Sequence, residues 1–270
     1  MKTEQFKVIV VFDIDGVVRD VSGSYRRAIA DTVEKFTDGA FRPTMSDIDE
    51  LKLEGIWNND WQASRELVYR YQESQGKART AIDLNYEAIV DFFQERYRGK
   101  NPQNFDGYIK DEPLLMSAEY LAHLQEHNIC YGFFSGATRG SAEYILQQRL
   151  GLKQPVLIAM EDAPGKPDPT GLFEVVRQIS DGQEKVSAVI YVGDTVADMQ
   201  TVVKAKKEQP DTKWFGVGVL PPHAQGDKTR EQKYREKLQN SGSAIVLNNV
   251  EHLDSATINA AILTEMQKKS

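Results

Sequence analysis

The 270-residue sequence has a single cysteine, only four histidines and no long apolar run. The lone thiol of Cys130 excludes an intrachain disulfide, and the scattered histidines do not suggest a Cys/His zinc site. The first apolar run, residues 8–12, is too short for a signal-peptide core or a membrane span and is followed at once by an acid. These absences predict a cytoplasmic protein with no membrane partner.

An excess of positive charge is also absent, since 33 lysines and arginines stand against 40 acids and give a net charge of −7. A negatively charged protein repels polyanions, which disfavours nucleic acid and anionic membranes as partners and leaves small-ligand chemistry open. The chain is longer than a typical single domain. We therefore expect a core domain with a sizeable second module.

Short β-rich runs recur along the chain, and several are apolar throughout, as buried parallel strands are. They occupy residues 8–12, 129–134, 155–160, 188–192, 214–219 and 244–247. Apolar residues at helical spacing lie between most of these runs. Strands that alternate with helices predict an α/β fold with a doubly wound parallel sheet.

More than a hundred residues separate the first two runs, and this stretch shows helical patterns without a strong strand. Its apolar spacing predicts a bundle of four helices. We therefore expect a core domain of residues 1–20 and 111–270 and an inserted helical domain of residues 21–110. Residues 221–242 are polar and mixed in charge, which predicts a solvated excursion whose helix pairs Glu231 with Arg235.

The first apolar run ends in Asp13 and Asp15, and Gly16 follows directly. A buried strand that ends in two carboxylates places negative charge at the mouth of a sheet, where a cation or a substrate must compensate for it. One aspartate could be a nucleophile and the other an acid–base catalyst. Taken alone, the pattern is about as often a turn or a helix cap.

Three later runs also end in residues suited to chemistry, at the strand ends where open α/β sheets bind ligands. Ser135 and Gly136 follow the second run and offer a hydroxyl and accessible backbone N–H groups to an anion. Lys166 stands in a proline-rich loop after the third run. Asp194 and Asp198 follow the fourth run and can ligate a hard cation.

These four segments, in this order, resemble the motifs of the haloacid dehalogenase (HAD) superfamily, and the helical insertion resembles its C1 cap. The likeness is to phosphoglycolate-phosphatase-like hydrolases of subfamily IA, although Val17 stands where threonine is usual. It implies Mg²⁺-dependent hydrolysis of a small phosphomonoester through an aspartyl-phosphate intermediate.

The resemblance also implies roles for the residues, beginning with Asp13 as nucleophile and Asp15 as acid and base. Ser135, Gly136 and Lys166 would bind the phosphate. The metal set implied by the resemblance is Asp13, the backbone carbonyl of Asp15, Asp194 and, through water or in support, Asp198.

Substrate choice is expected to depend on the cap and on basic residues near the motifs. The candidates for substrate contact are Arg19, Trp57, Asn58 and Arg139. Phosphoglycolate, a sugar phosphate and histidinol phosphate are all compatible with the sequence. Two alternatives stay open, namely phosphoryl transfer as in mutases of this fold and a catalytically retired binding domain. The sequence does not predict an oligomeric state.

Overall fold

A computed structural model describes residues 7–54, 56–57, 59–101, 104–180 and 186–260 of the chain. The described residues form two compact units. One unit contains the residues before Val21 and after Glu112, and the other is Val21–Glu112.

The first unit contains a six-stranded parallel sheet with the strand order β3-β2-β1-β4-β5-β6. The strands are β1 Lys7–Phe12, β2 Ile129–Phe134, β3 Leu157–Ile158, β4 Val186–Gly193, β5 Lys213–Val219 and β6 Ser243–Leu247. In the centre, Phe12 of β1 is in register with Phe133 of β2 and Val192 of β4. The predicted α/β fold with a parallel sheet is confirmed, and the carboxyl ends of β1, β2 and β4 reach the same edge.

Strand β3 is shorter than the predicted run of residues 155–160. It lies at the edge of the sheet and pairs only with β2. The chain turns directly after it, because the N–H of Ala159 donates to Asp162 Oδ2 at 2.7 Å. Pairing therefore stops after two residues.

The second unit is built from four helices: α1 Tyr25–Phe36, α2 Met45–Leu53, α3 Asp60–Ser74 and α4 Tyr86–Tyr97. Side chains cap three of their N-termini, with Thr44 before α2, Asn59 before α3 and Asn85 before α4. Helix α1 packs against α3 and α4, and Ile29 and Val33 on its inner face are fully buried. The four helices predicted from apolar spacing are confirmed.

The other helices belong to the first unit and flank its sheet. They are α5 Ala118–Glu126, α6 Arg139–Glu143 with a π-helical continuation Tyr144–Arg149, α7 Thr170–Ser180, α8 Val196–Glu208 and α9 Lys228–Asn240. Buried apolar side chains of β1, β4, α7 and α8 meet in one core cluster. None of the helices in the described ranges is long and apolar enough to cross a bilayer.

The polar segment 221–242 is less detached than predicted. It contains α9, which packs on β5 and β6 and buries Leu238. Arg235 does not make the predicted pair, because its guanidinium donates to the carbonyl of Val246 at 2.7 Å. Glu231 instead accepts the N–H of Gly226 at 2.8 Å.

Candidate active site

Three aspartates converge at the carboxyl edge of the central strands. Asp13 follows β1, Asp194 follows β4, and the N–H of Asp13 donates to the carbonyl of Val192 at 2.8 Å. Asp198 joins them from the first turn of α8. One carboxylate oxygen from each aspartate lies within 4.8 Å of the other two, and the three residues are between 0% and 8% exposed. Such a group is stable as three anions only if a cation offsets their repulsion.

Lys166 supplies one positive charge to this group. Its Nζ lies 2.8 Å from Asp13 Oδ1 and 2.8 Å from Asp198 Oδ1. Burial alone would lower the pKa of Lys166, but attraction to Asp13 and Asp198 outweighs burial and raises it. The ammonium is therefore charged at neutral pH and offsets one of the three carboxylates.

The negative charge that Lys166 does not balance raises the pKa values of the buried acids. Burial raises the pKa of Asp13 to about 7, against the attraction of Lys166 and with the help of repulsion from Asp198 and Asp15. Burial and repulsion from Asp198 and Asp13 also raise the pKa of Asp194 well above 3.8. The site therefore has more acid than its own lysine can balance.

Asp194 is the open carboxylate of the group. Within the described ranges no side chain or backbone N–H is hydrogen-bonded or ion-paired to it. Gly16 lies directly against it with φ +76°, and a Cβ at Gly16 would fall 2.2 Å from Asp194 Oδ2. A buried carboxylate without a partner, in an all-oxygen set beside Asp13, fits a hard divalent cation such as Mg²⁺.

Asp198, by contrast, has both carboxylate oxygens occupied. Oδ2 accepts the N–H of Thr195 at 2.9 Å and its hydroxyl at 2.6 Å. Oδ1 lies 2.8 Å from Lys166 Nζ and 3.0 Å from the hydroxyl of Tyr191. The Thr195 pair is a capping box at the start of α8, so Asp198 both caps the helix and fixes Lys166.

Asp15 lies outside the group of three aspartates and pairs with Arg19. Nε of Arg19 donates to Asp15 Oδ1 at 2.7 Å, and its Nη2 lies 2.6 Å from the same oxygen. The Arg19 side chain is 1% exposed, whereas that of Asp15 is 40% exposed. Arg19 is thus buried and paired with Asp15, and its contact with a substrate anion stays a prediction.

Ser135 and Gly136 continue β2 at the same edge. The N–H of Ser135 donates to the carbonyl of Ile158 at 3.0 Å, and the Oγ of Ser135 accepts the N–H of Ala137 at 3.1 Å. Gly136 is exposed, and a Cβ there would meet no atom within 4 Å. Open space therefore lies beside Gly136, whereas Ser135 is buried.

Arg139 is held by acids on the surface. Its guanidinium lies 3.2 Å from Glu143 Oε1 and is also ion-paired with Asp162. Its backbone N–H donates to Glu161 at 2.9 Å. Contact with a substrate would require these pairs to break, and it stays a prediction.

Trp57 lies in the second unit, and Asn58 lies outside the described residues. The indole N–H of Trp57 donates to Glu54 Oε2 at 2.8 Å, and Arg70 holds the same carboxylate with two bonds of 2.5 and 2.8 Å. Trp57 is half-buried. Its part in substrate selection stays a prediction.

Two residues at the site were not found from the sequence, Thr195 and Tyr191. The pattern Thr195-x-x-Asp198 is a capping-box signature that could have revealed the first. Tyr191 stands in an otherwise apolar strand, and a buried tyrosine usually has a partner for its hydroxyl. Burial and the nearby Asp198 raise its pKa well above 10.0, so the hydroxyl keeps its proton.

The chain is similar to several known proteins. Imidazoleglycerol-phosphate dehydratase of Phytophthora nicotianae is 31% identical to this chain in an alignment 243 residues long, and the match covers 88% of this chain and 49% of that protein. The chain thus spans about half the length of this curated relative.

Among solved structures, phosphatase Tt82 of Thermococcus thioreducens is 22% identical with a TM-score of 0.59 and covers 84% of this chain and 98% of its own. A phosphonoacetaldehyde hydrolase-like protein of Oleispira antarctica is 17% identical with a TM-score of 0.64 and coverage of 97% and 96%. A protein assigned as a beta-phosphoglucomutase, from Thermotoga maritima, is 17% identical with a TM-score of 0.60 and coverage of 94% and 99%. At these identities the likeness shows the fold alone.

The model of the family of haloacid dehalogenase-like hydrolases matches residues 8–206. That range holds all four segments whose residues meet at the carboxyl edge of the sheet. The chain therefore belongs to the haloacid dehalogenase-like hydrolases.

Proposed function

We propose that this protein is a Mg²⁺-dependent phosphomonoesterase that acts on a small soluble metabolite in the cytoplasm through an aspartyl-phosphate on Asp13. The observation that carries the proposal is the shared lysine. Lys166 bridges Asp13 and Asp198 at 2.8 Å each, while the buried carboxylate of Asp194 lies beside them with no partner among the described residues.

The first half of the reaction uses Asp13 and Asp15. Oδ1 of Asp13 is held by Lys166 and by the N–H of Ile14 at 2.7 Å, which orients the carboxylate as a nucleophile. One carboxylate oxygen bonds to phosphorus while the ester oxygen leaves with the bonding pair. Asp15, which is 40% exposed and takes up a proton from solvent before this step, gives that proton to the leaving oxygen and is left as the carboxylate.

The second half regenerates Asp13. The Asp15 carboxylate takes a proton from water, the water oxygen bonds to phosphorus, and the bond between phosphorus and Asp13 breaks. Ser135, Gly136 and Lys166 hold the non-bridging oxygens through a hydroxyl, a backbone N–H and an ammonium. Arg19 keeps the Asp15 carboxylate in place between the two halves.

The metal would be held by Asp13, Asp194 and the backbone carbonyl of Asp15. Asp198 would take part through water or by supporting these ligands. A bound Mg²⁺ would supply positive charge where carboxylates and a phosphate otherwise repel one another. We also propose residues 21–110 as the cap that selects the substrate.

The substrate class is a small phosphate monoester. The relative from Phytophthora nicotianae is named for imidazoleglycerol phosphate, so imidazole-bearing esters should lead the substrate panel. Histidinol phosphate, phosphoglycolate, sugar phosphates and p-nitrophenyl phosphate complete it.

The test measures phosphate release from each ester in Mg²⁺ and in EDTA. Asp13→Asn serves as the background, and Asp211→Asn, which makes the same charge change at an exposed site, is the matched control. We expect Mg²⁺-dependent release that is lost in Asp13→Asn and kept in Asp211→Asn. Mass spectrometry of acid-quenched protein should find the phosphoryl group on the peptide that holds Asp13.

Other outcomes point to the alternatives. Isomerised ester without released phosphate, dependent on a phosphorylated activator, would indicate a mutase. Binding of esters with neither product would indicate a retired domain. Release that survives in Asp13→Asn would refute the mechanism.

A further inference from the structure

We propose that Tyr191 is a positioning residue for Lys166, acting through Asp198 and through an aromatic cradle that it forms with Phe134. The inference rests on the proposed phosphoryl chemistry only in giving Lys166 a phosphate to hold.

The hydroxyl of Tyr191 joins two strands across the centre of the sheet. Tyr191 lies on β4, is fully buried and places its hydroxyl 3.1 Å from the carbonyl of Phe134 at the end of β2. The same hydroxyl lies 3.0 Å from Asp198 Oδ1. Strand β1 runs between β2 and β4. The hydroxyl has one proton for these two acceptors and shares it between the residue before Ser135 and the acid that faces Lys166.

The hydrogen-bond count at Asp198 shows why this atom matters. Its Oδ2 is committed to Thr195, so Oδ1 is the oxygen that is shared between Lys166 and Tyr191. A hydroxyl that donates to Oδ1 limits the positions that this oxygen can take. Without the hydroxyl, Lys166 would be the one partner left to Oδ1 among the described residues, and the ammonium could shift between Asp198 and Asp13.

The rings add a second constraint on the ammonium. Nζ of Lys166 lies 5.4 Å from the centroid of the Phe134 ring and 5.5 Å from that of Tyr191, within the range of cation–π attraction. The two ring centroids are 6.0 Å apart. Gly171 makes room for this cradle, because a Cβ there would fall 2.2 Å from the Phe134 ring.

The position of Lys166 is therefore set by the rings of Phe134 and Tyr191 as well as by the two acids. An ammonium fixed in advance loses little freedom when it meets a transferring phosphoryl group, which favours the transition state. The hydroxyl of Tyr191 touches no substrate in this account, and its effect passes through Asp198 and Lys166.

The variant Tyr191→Phe removes only the hydroxyl and keeps the ring. Tyr120→Phe is the matched control, since Tyr120 is also buried and its hydroxyl also meets a backbone carbonyl, that of Leu253 at 2.9 Å. The first readout is the rate at which an amine-acetylating reagent modifies Lys166 in the metal-free protein, followed by peptide mass spectrometry. The second readout is kcat and KM on the ester that the panel identifies.

We expect faster acetylation of Lys166 in Tyr191→Phe and a fall in kcat of about ten- to a hundredfold, the loss typical of one hydrogen bond to a charged group. KM should change less than kcat. Tyr120→Phe should match the wild type in Lys166 acetylation and in kcat, even if both variants unfold at a lower temperature.

An acetylation rate that Tyr191→Phe leaves unchanged, or a wild-type kcat in that variant, would overturn the proposal. Equal effects in Tyr120→Phe would do the same, because they would reflect general loosening. If the wild type hydrolyses no ester, the proposed function fails on its own, and the acetylation rates still decide whether Tyr191 positions Lys166.

Discussion

Replacing Asp194 with asparagine should stabilise the metal-free protein and abolish its response to Mg²⁺. The substitution keeps the shape of the side chain and removes one charge from a buried group of three acids, and no described partner of Asp194 is lost. Burial and repulsion from Asp198 and Asp13 raise the pKa of Asp194 well above 3.8, and each pKa unit corresponds to about 1.4 kcal/mol. Allowing for relaxation of the site, we expect a gain of roughly 2 kcal/mol, or about 4–8 °C in Tm.

The gain should depend on pH in a defined direction. The folded-state pKa of Asp194 lies above its usual 3.8. In the wild type, the stability contributed by protonated Asp194 is fully present below pH 3.8 and is lost as the pH rises through the folded-state pKa. The Asp194→Asn variant does not lose this stability. The difference in Tm between the variant and the wild type in EDTA should therefore be small at pH 5 and large at pH 8.

Thermal unfolding in EDTA and in Mg²⁺, at pH 5 and pH 8, measures both effects. Mg²⁺ at a hundred times its Kd should stabilise the wild type by about 2.7 kcal/mol and leave Asp194→Asn almost unchanged. Asp211→Asn, at an exposed position, should follow the wild type. A lower Tm for Asp194→Asn in EDTA at pH 8 would refute the repulsion argument, and a retained Mg²⁺ response would refute the role of Asp194 as a ligand.

Three further changes test other parts of the site. In Gly16→Ala, Mg²⁺ should no longer raise the Tm, and activity should fall at least about a hundredfold. The reason is that the new Cβ would lie 2.2 Å from Asp194 Oδ2 on a backbone with φ +76°. Normal Mg²⁺ binding measured by calorimetry would contradict this. Asp15→Asn should lower kcat about a hundredfold or more and keep the Mg²⁺-dependent rise in Tm, since its carboxylate lies outside the three-acid group; loss of that rise would count against the assignment. Trp57→Ala should raise KM for the natural ester far more than it changes turnover of p-nitrophenyl phosphate, and equal losses with both would indicate damage to the helical unit instead.

The strands and the main acids were predictable because each depends on local sequence. An apolar run that stops at Asp13 or Asp194 marks the carboxyl end of a buried strand, and parallel strands bring such ends together. The helices of the second unit follow from apolar spacing and from caps such as Asn59 and Asn85. These features need no knowledge of distant partners.

The partners of the basic residues were not predictable, since they depend on three-dimensional neighbours. Arg19 lies four residues from Asp15, but only a tight turn, in which Gly16 donates to the carbonyl of Arg19 at 2.9 Å, brings the guanidinium to that carboxylate. Arg139 meets Asp162 across 23 residues. A charged residue near a motif is therefore a weak guide to substrate contact until its burial is known.

The charges of the site favour a divalent cation over a second protein cation. Asp15 is paired with Arg19, so among the described residues Lys166 alone balances the three buried aspartates and about two negative charges remain. Without metal, protons must take that role, which is why burial and mutual repulsion raise the pKa of both Asp13 and Asp194. A divalent cation would displace those protons and leave Asp13 ionised as a nucleophile at neutral pH. The same excess of negative charge that lowers the stability of the metal-free protein therefore favours binding of a divalent cation, and with it of a phosphate ester.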